Sequence, residues 1–233
     1  MPSASHRSER ARGTRGTPAG RSARPNRERK PREERWPELV KVATDVFYER
    51  GYDGASLQDI ADRLGMLKGS LYYYIHTKED LLFEVINTVY QEGLTAVHAA
   101  AEIPGDPLER LERIIIAHVE QTCRNLTATA VYLHELNSLP TALRKKVDGK
   151  SYQGVFLDVL EEAQEKGLLR SGVEPHLTVF WILGSTNWVY RWFHHDGQVA
   201  AATVATQFAD LAINGAASSK ALTARARRRS GSS

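Results

Sequence analysis

The side chains best suited to chemistry in this chain fall between Ser56 and Leu82, in the run SLQDIADRLGMLKGSLYYYIHTKEDLL. Lys68, Gly69, Ser70, Tyr72 and Tyr73 are concentrated in one short segment of it. The chemistry they support is recognition of nucleic acid. A Ser hydroxyl donates to or accepts from a base edge, and a Tyr hydroxyl reaches a phosphate. A Gly inside a helix costs about 1 kcal/mol relative to Ala, which makes sense where another backbone must come close. Three successive tyrosines, Tyr72 to Tyr74, cannot share one helix face, so at least one points outward. The competing reading is a buried Tyr cluster in an ordinary helical hairpin.

The elements that must hold these residues are legible on both sides. Ser56 precedes an apolar-periodic run and Asp59 stands three residues on, close to a capping box. Leu57, Ile60, Ala61 and Leu64 give that helix one buried face. Gly65 follows, where a left-handed residue ends a helix at little steric cost. Met66 and Leu67 lead into a second short helix, from about Lys68 to Tyr74, with Leu71 and Ile75 as inward anchors. Thr77 caps the next helix, whose Glu79 and Asp80 suit the helix dipole. Lys78 does not suit it, which marks it as a candidate phosphate contact beside the helix N-terminus. An earlier helix carries Trp36, Leu39, Val40, Ala43 and Phe47 as an apolar stripe, with Gly51-Tyr52 after its end.

This succession (S-x-x-D-I-A-x-x-x-G, a turn, K-G-S-L-Y-Y-Y-I, then T-K-E-D-L-L) resembles the N-terminal domain of TetR-family transcriptional regulators from about Arg35 to Leu82. The resemblance implies an all-α protein: a three-helix helix-turn-helix DNA-binding domain, then a helical ligand-binding and dimerisation domain. It implies that Lys68, Gly69, Ser70, Tyr72 and Tyr73 face double-stranded DNA. It further implies that Ser56, His76 and Lys78 hold the flanking phosphates. Leu67 departs from the pattern, since the family commonly has Ser or another capping residue there. Either the second helix lacks a side-chain N-cap or Leu67 touches a thymine methyl group.

Charge is segregated along the chain. Of 233 residues, the first 32 hold nine Arg and Lys30 against Glu9 and Glu28, a net of +8. Residues 220–233 hold five basic groups and no acid, and the remainder carries −10 within an overall +3. The expected organisation is a disordered basic arm over 1–34, the DNA-binding domain over 35–81, a helical body over 82–217 and a disordered basic tail over 218–233. The arm is read either as a clamp on DNA phosphates or as a solubilising tail. The single Cys, Cys123, excludes an internal disulfide framework and points to a reducing compartment. With neither a membrane-length apolar run nor a signal-peptide core, the expected location is cytoplasmic.

Beyond Thr77 the periodicity predicts helices over Lys78–Ala101, Pro107–Leu126, Ala128–Asn137, Thr141–Lys166, Pro175–His194 and Val199–Asn214. The last two carry a candidate dimer interface: Phe180, Gly184 and Trp188 on one, Ala201, Ala205, Phe208 and Ala212 on the other. One short recognition helix buries too little surface for specific binding, which also argues for a homodimer. Tyr90, His98, His118, Cys123, Tyr132, His134, Glu135, Asn137, Tyr152 and Phe156 are available to line an apolar cavity with a few polar anchors. No nucleophile elbow, phosphate-cradling loop, metal-ligand spacing or paired-carboxylate pattern occurs, so neither an enzyme nor a resident cofactor is expected.

The stretch Gly184–Phe193, together with Tyr132-Leu133-His134-Glu135, is similar to the branch of the TetR family that senses acyl-CoA thioesters. That resemblance implies a small hydrophobic effector, with Tyr132, Glu135, Asn187, Trp188, Arg191 and Trp192 as its contacts. Arg191 would meet a phosphate and Trp188 or Trp192 the adenine or thioester arm. The alternatives are that these aromatics pack the dimer interface and that Arg191 pairs with Glu135. Rival functions are a multidrug-type sensor, a sequence-tolerant DNA-compacting protein and a helical-bundle enzyme.

Overall fold

The computed structural model describes residues 32–147 and 149–230, without the side chains of residues 32 and 229. Most of the basic arm expected over 1–34 therefore lies outside the described residues. The elements in chain order are α1 (Arg32–Gly54), α2 (Leu57–Arg63), α3 (Lys68–Leu71), α4 (Lys78–Glu102), α5 (Pro107–Arg124) and α6 (Leu126–Glu135). A 3-10 turn (Leu136–Ser138) follows, then α7 (Thr141–Arg144), α8 (Lys150–Glu165), α9 (Pro175–Asn187), α10 (Val189–Trp192), α11 (Ala201–Ala216) and α12 (Ser219–Ser230). Leu169 and Ala217 form an isolated β-bridge, and there is no strand among the described residues. No helix among them is long and apolar enough to cross a membrane.

The local signals act as their chemistry dictates. Ser56 and Asp59 form a reciprocal capping box at α2, and Thr77 and Asp80 form another at α4. Gly65 takes φ +63, and the Met66 amide returns to the Ala61 carbonyl at 3.0 Å, closing α2 as a left-handed cap does. Pro107 occupies the first turn of α5 after the Asp106 cap.

Two apolar clusters form. One joins α1, α2, α3 and the start of α4, with Phe47, Ile60, Leu71, Leu81 and Leu82 fully buried. It extends to Val131, Leu139 and Val147, so the DNA-binding unit and the body share apolar packing. The second is built on α5, with Leu111, Ile114, Ile115, Phe156 and Leu160 at its centre.

Some expected elements are displaced. The helix expected over Thr141–Lys166 divides into α7 and α8, with Gly149 at φ +82 between them. The helix expected over Pro175–His194 divides at Trp188 into α9 and α10. The tail expected to be disordered over 218–233 instead contains α12. Its Ala221 and Leu222 join the core, Arg225 pairs with Glu112, and Arg228 pairs with Asp106. Basic composition hid these acidic partners, which lie more than a hundred residues away.

Candidate DNA-reading surface and effector cavity

The candidate DNA-reading surface is built on α3. Leu71 and Ile75 are buried, and the outward side presents Leu67 (75% exposed), Lys68, Gly69, Tyr72 and Tyr73 (73% exposed), with Ser70 half-buried. His76 is exposed beside them. Leu67 stands at the N-cap position and provides no side-chain cap. The regular α-helix stops at Leu71, and hydrogen bonds from the Tyr73 and Tyr74 amides to Ser70 and Leu71 carry it one turn further. Tyr74 turns partly into the core and meets Tyr73 edge-on at 5.2 Å. A Cβ at Gly69 would meet nothing within 4 Å. Nothing in the fold therefore requires glycine there.

Two expected phosphate contacts are committed elsewhere. The Ser56 N–H and hydroxyl both donate to Asp59 Oδ2, at 2.9 and 2.6 Å, so its donors are taken by the cap. Lys78 Nζ donates to the carbonyls of Tyr52 (2.8 Å) and Ala55 (3.0 Å) and sits 4.1 Å over the Tyr52 ring. It ties the start of α4 to the end of α1 and is not a free cation. The ring below is fixed at its far end, where the Tyr52 hydroxyl donates to Glu79 at 2.7 Å. That hydrogen bond holds the Glu79 carboxyl below its ordinary range, and burial raises the Tyr52 phenol. Lys78→Met should weaken DNA binding while leaving the slope of log affinity against log salt unchanged. A direct phosphate contact would lower that slope by about 1. Band-shift titrations at several salt concentrations separate the two.

The cavity lies in the body and has a volume of about 370 Å³, within the range of small-molecule sites. Tyr90 and Gly93 of α4, His118 and Thr122 of α5, and Tyr132 and Leu133 of α6 form part of its wall. Tyr152 of α8 and Phe180, Gly184 and Asn187 of α9 also line it. Tyr90, Tyr132 and Tyr152 make an aromatic wall, with ring centroids 6.2 and 6.3 Å apart. Gly93 lets Tyr152 lie against α4, since a Cβ there would stand 3.1 Å from its ring. No lining residue among those described is Asp, Glu, Lys or Arg.

His118 faces Tyr152 at 2.7 Å through Nδ1. Burial lowers its pKa to about 4, a neighbouring Asn187 amide opposing the shift only in part. The imidazole is therefore neutral at pH 7. An unfolded His takes up a proton near pH 6.5, which the folded one refuses until about pH 4. Stability therefore falls as pH drops through that window, by about 2 kcal/mol between pH 7 and pH 5. His118→Gln, which keeps a partner for Tyr152 but does not titrate, should flatten this dependence in thermal melts. Carboxylates held below their ordinary values, such as Glu79 and Glu162, contribute their losses at lower pH.

Of the expected effector contacts, Tyr132 and Asn187 line the cavity. Trp188, Arg191 and Trp192 do not: they are exposed on α10 and its start. All three lie beyond Asn187, where α9 ends. Glu135 is also absent from the lining and does not pair with Arg191. Its Oε1 accepts from the Tyr52 amide at 3.1 Å and its Oε2 from the Ser138 hydroxyl at 2.9 Å. Gly51, at φ +68, brings the chain within reach; a Cβ there would stand 3.4 Å from Glu135 Oε1. Sequence spacing gives no sign of this bridge across 83 residues.

The expected dimer stripe is corrected in part. Ala205 and Ala212 are buried inside the chain, where α11 packs on α5. The rule that small residues admit a close neighbour holds, but the neighbour is intramolecular. Ala201 and Phe208 are half-buried, and Phe208 stacks on Trp192. Outward lie Leu177, Phe180, Trp181 and Trp188 on α9 and its end, and Leu211 on α11. Gly184, exposed on the same helix, has nothing within 4 Å of a built Cβ.

Comparison with known proteins meets this geometry at both ends. Residues 39–85 match the model for bacterial regulatory proteins of the tetR family, and residues 104–216 match that for the Tetracyclin repressor-like C-terminal domain. The chain belongs to the TetR family of transcriptional regulators and is a DNA-binding regulator, not an enzyme. The HTH-type transcriptional repressor KstR2 of Mycobacterium tuberculosis is 28% identical over 182 residues, spanning 76% of this chain and 90% of the relative. The structure of the M. tuberculosis ketosteroid transcriptional regulator KstR2 superposes with a TM-score of 0.74 at 26% identity, covering 79% of this chain and 95% of that one. The structure of AibR in complex with isovaleryl coenzyme A and operator DNA superposes with a TM-score of 0.68 at 28% identity, covering 78% and 97%.

Proposed function

We propose that the chain is a ligand-responsive repressor that binds a near-palindromic operator as a homodimer and is released by a small hydrophobic effector, an acyl-CoA thioester. The observation that carries this reading is the position of α6. Tyr132 and Leu133 of this helix, and Leu136 just beyond it, line the cavity, while Glu135 at its end holds the Tyr52 amide. Tyr52 in turn is bonded through its carbonyl to Lys78 and through its hydroxyl to Glu79 at the start of α4.

An effector that displaces the α6 wall shifts Glu135, and with it the joint between α1 and α4 that sets the position of α3. In a dimer this changes the separation of two reading heads, and operator affinity falls. By linkage the operator must weaken effector binding by the same factor. The exposed apolar residues of α9 and Leu211 of α11 supply the self-complementary face such a dimer needs.

The uncharged cavity suits an acyl group, with the CoA phosphates outside it. AibR, similar in fold and sequence, is complexed with isovaleryl coenzyme A in its structure. A cationic drug would find no carboxylate among the described lining residues, which disfavours a multidrug sensor. The reading is tested by titrating acyl-CoA thioesters, free CoA and rhodamine 6G into the protein–operator complex. Release by a thioester and not by free CoA is expected. Release by the dye alone would replace the effector class.

A further inference from the structure

The buried end of the effector can be specified further. We infer that the cavity selects an acyl group bearing a ketone or hydroxyl oxygen over a saturated hydrocarbon group of the same size. The thioester reading above supplies only the carrier of that group.

Beside the tyrosines the lining carries polar side chains, among them His118, Gln121, Thr122, Thr129 and Asn187. Gln121 is already occupied, its amide donating to Glu92 at 2.9 Å and its carbonyl accepting from Arg124 at 2.7 Å. His118 is occupied on one side only. Nδ1 meets the Tyr152 hydroxyl, while the buried Nε2 makes no hydrogen bond. A buried polar nitrogen without a partner is costly, and a site built around one rejects a ligand that cannot complete it.

The two ring nitrogens are linked through the tautomer. If Tyr152 donates to Nδ1, Nε2 carries the proton and takes a ketone. If Nδ1–H donates to Tyr152, Nε2 accepts from a hydroxyl. Either way the matching group is an oxygen set into an otherwise aromatic and aliphatic pocket. A plain alkyl group would cover Nε2 without pairing it.

Calorimetry on the full-length protein tests this with the CoA thioesters of cyclohexanecarboxylic, 4-oxocyclohexanecarboxylic and 4-hydroxycyclohexanecarboxylic acids. One oxygenated ester should bind at least ten-fold more tightly than the plain ester, and which one identifies the tautomer. His118→Leu should bring that ratio close to one. Asn187→Leu, further from the core, should reduce it and serves if the first variant does not fold. The same three acyl groups are compared as N-acetylcysteamine thioesters, which lack the nucleotide. A preference that persists there with no gain from CoA would uphold the inference while removing the CoA reading. Equal affinities for plain and oxygenated groups in both carriers, or binding of none, would overturn it.

Discussion

Gly69→Leu should reduce operator affinity by 100-fold or more while leaving the thermal midpoint unchanged or raised. The two halves of this result come from different physics. In the free protein a side chain at position 69 meets nothing within 4 Å, and Leu is favoured over Gly in a helix by roughly 0.8 kcal/mol. The fold gains if anything. On DNA the position lies between Lys68 and Ser70, on the side of α3 that also shows Leu67 and Tyr73. A helix set in the major groove brings that backbone against base edges, and a four-carbon side chain holds it away. Band shifts and melting curves on the same preparation read both effects. Affinity within about five-fold of the wild type would place a different surface on the DNA.

Glu135→Ala should leave effector binding within about two-fold and remove most of the effector's influence on DNA. The factor by which saturating effector weakens operator binding should collapse from ten-fold or more to less than about three-fold, where couplings of 1–3 kcal/mol are usual. The carboxylate has one oxygen on Tyr52 and one on Ser138 and none in the cavity. Its loss therefore cuts the link between two sites without touching either ligand. Glu135→Gln keeps an acceptor for the Tyr52 amide and should restore the coupling. A purely structural role would lower the melting temperature of both variants and leave the coupling ratio intact.

The DNA-binding unit was legible because its signals are local. Capping pairs at Ser56–Asp59 and Thr77–Asp80, the left-handed Gly65, and the Leu71 and Ile75 anchors each lie within a few residues of their partners. Helix geometry alone requires at least one of the three tyrosines to point outward, and Tyr72 and Tyr73 both do. Errors arose where a side chain's partner is distant. Charge marks Lys78 as a phosphate contact, yet carbonyls more than twenty residues back hold it. The resemblance implies that Glu135 is a ligand contact, yet it bridges to Tyr52. Composition places Arg225 and Arg228 in a disordered tail, yet α12 docks them on Glu112 and Asp106. Periodicity assigns a residue to a face and leaves open which neighbour covers it: the stripe with Ala205 and Ala212 fits a second protomer as well as α5, on which it packs.

Selection of binding sites from a random pool of DNA duplexes tests the paired reading of DNA most directly. Two copies of α3 related by a two-fold axis should enrich an inverted repeat, its half-sites about one helical turn, or a multiple of it, apart. An enriched sequence with no internal symmetry, or a pool that remains random after repeated rounds, would contradict a dimer reading a near-palindrome.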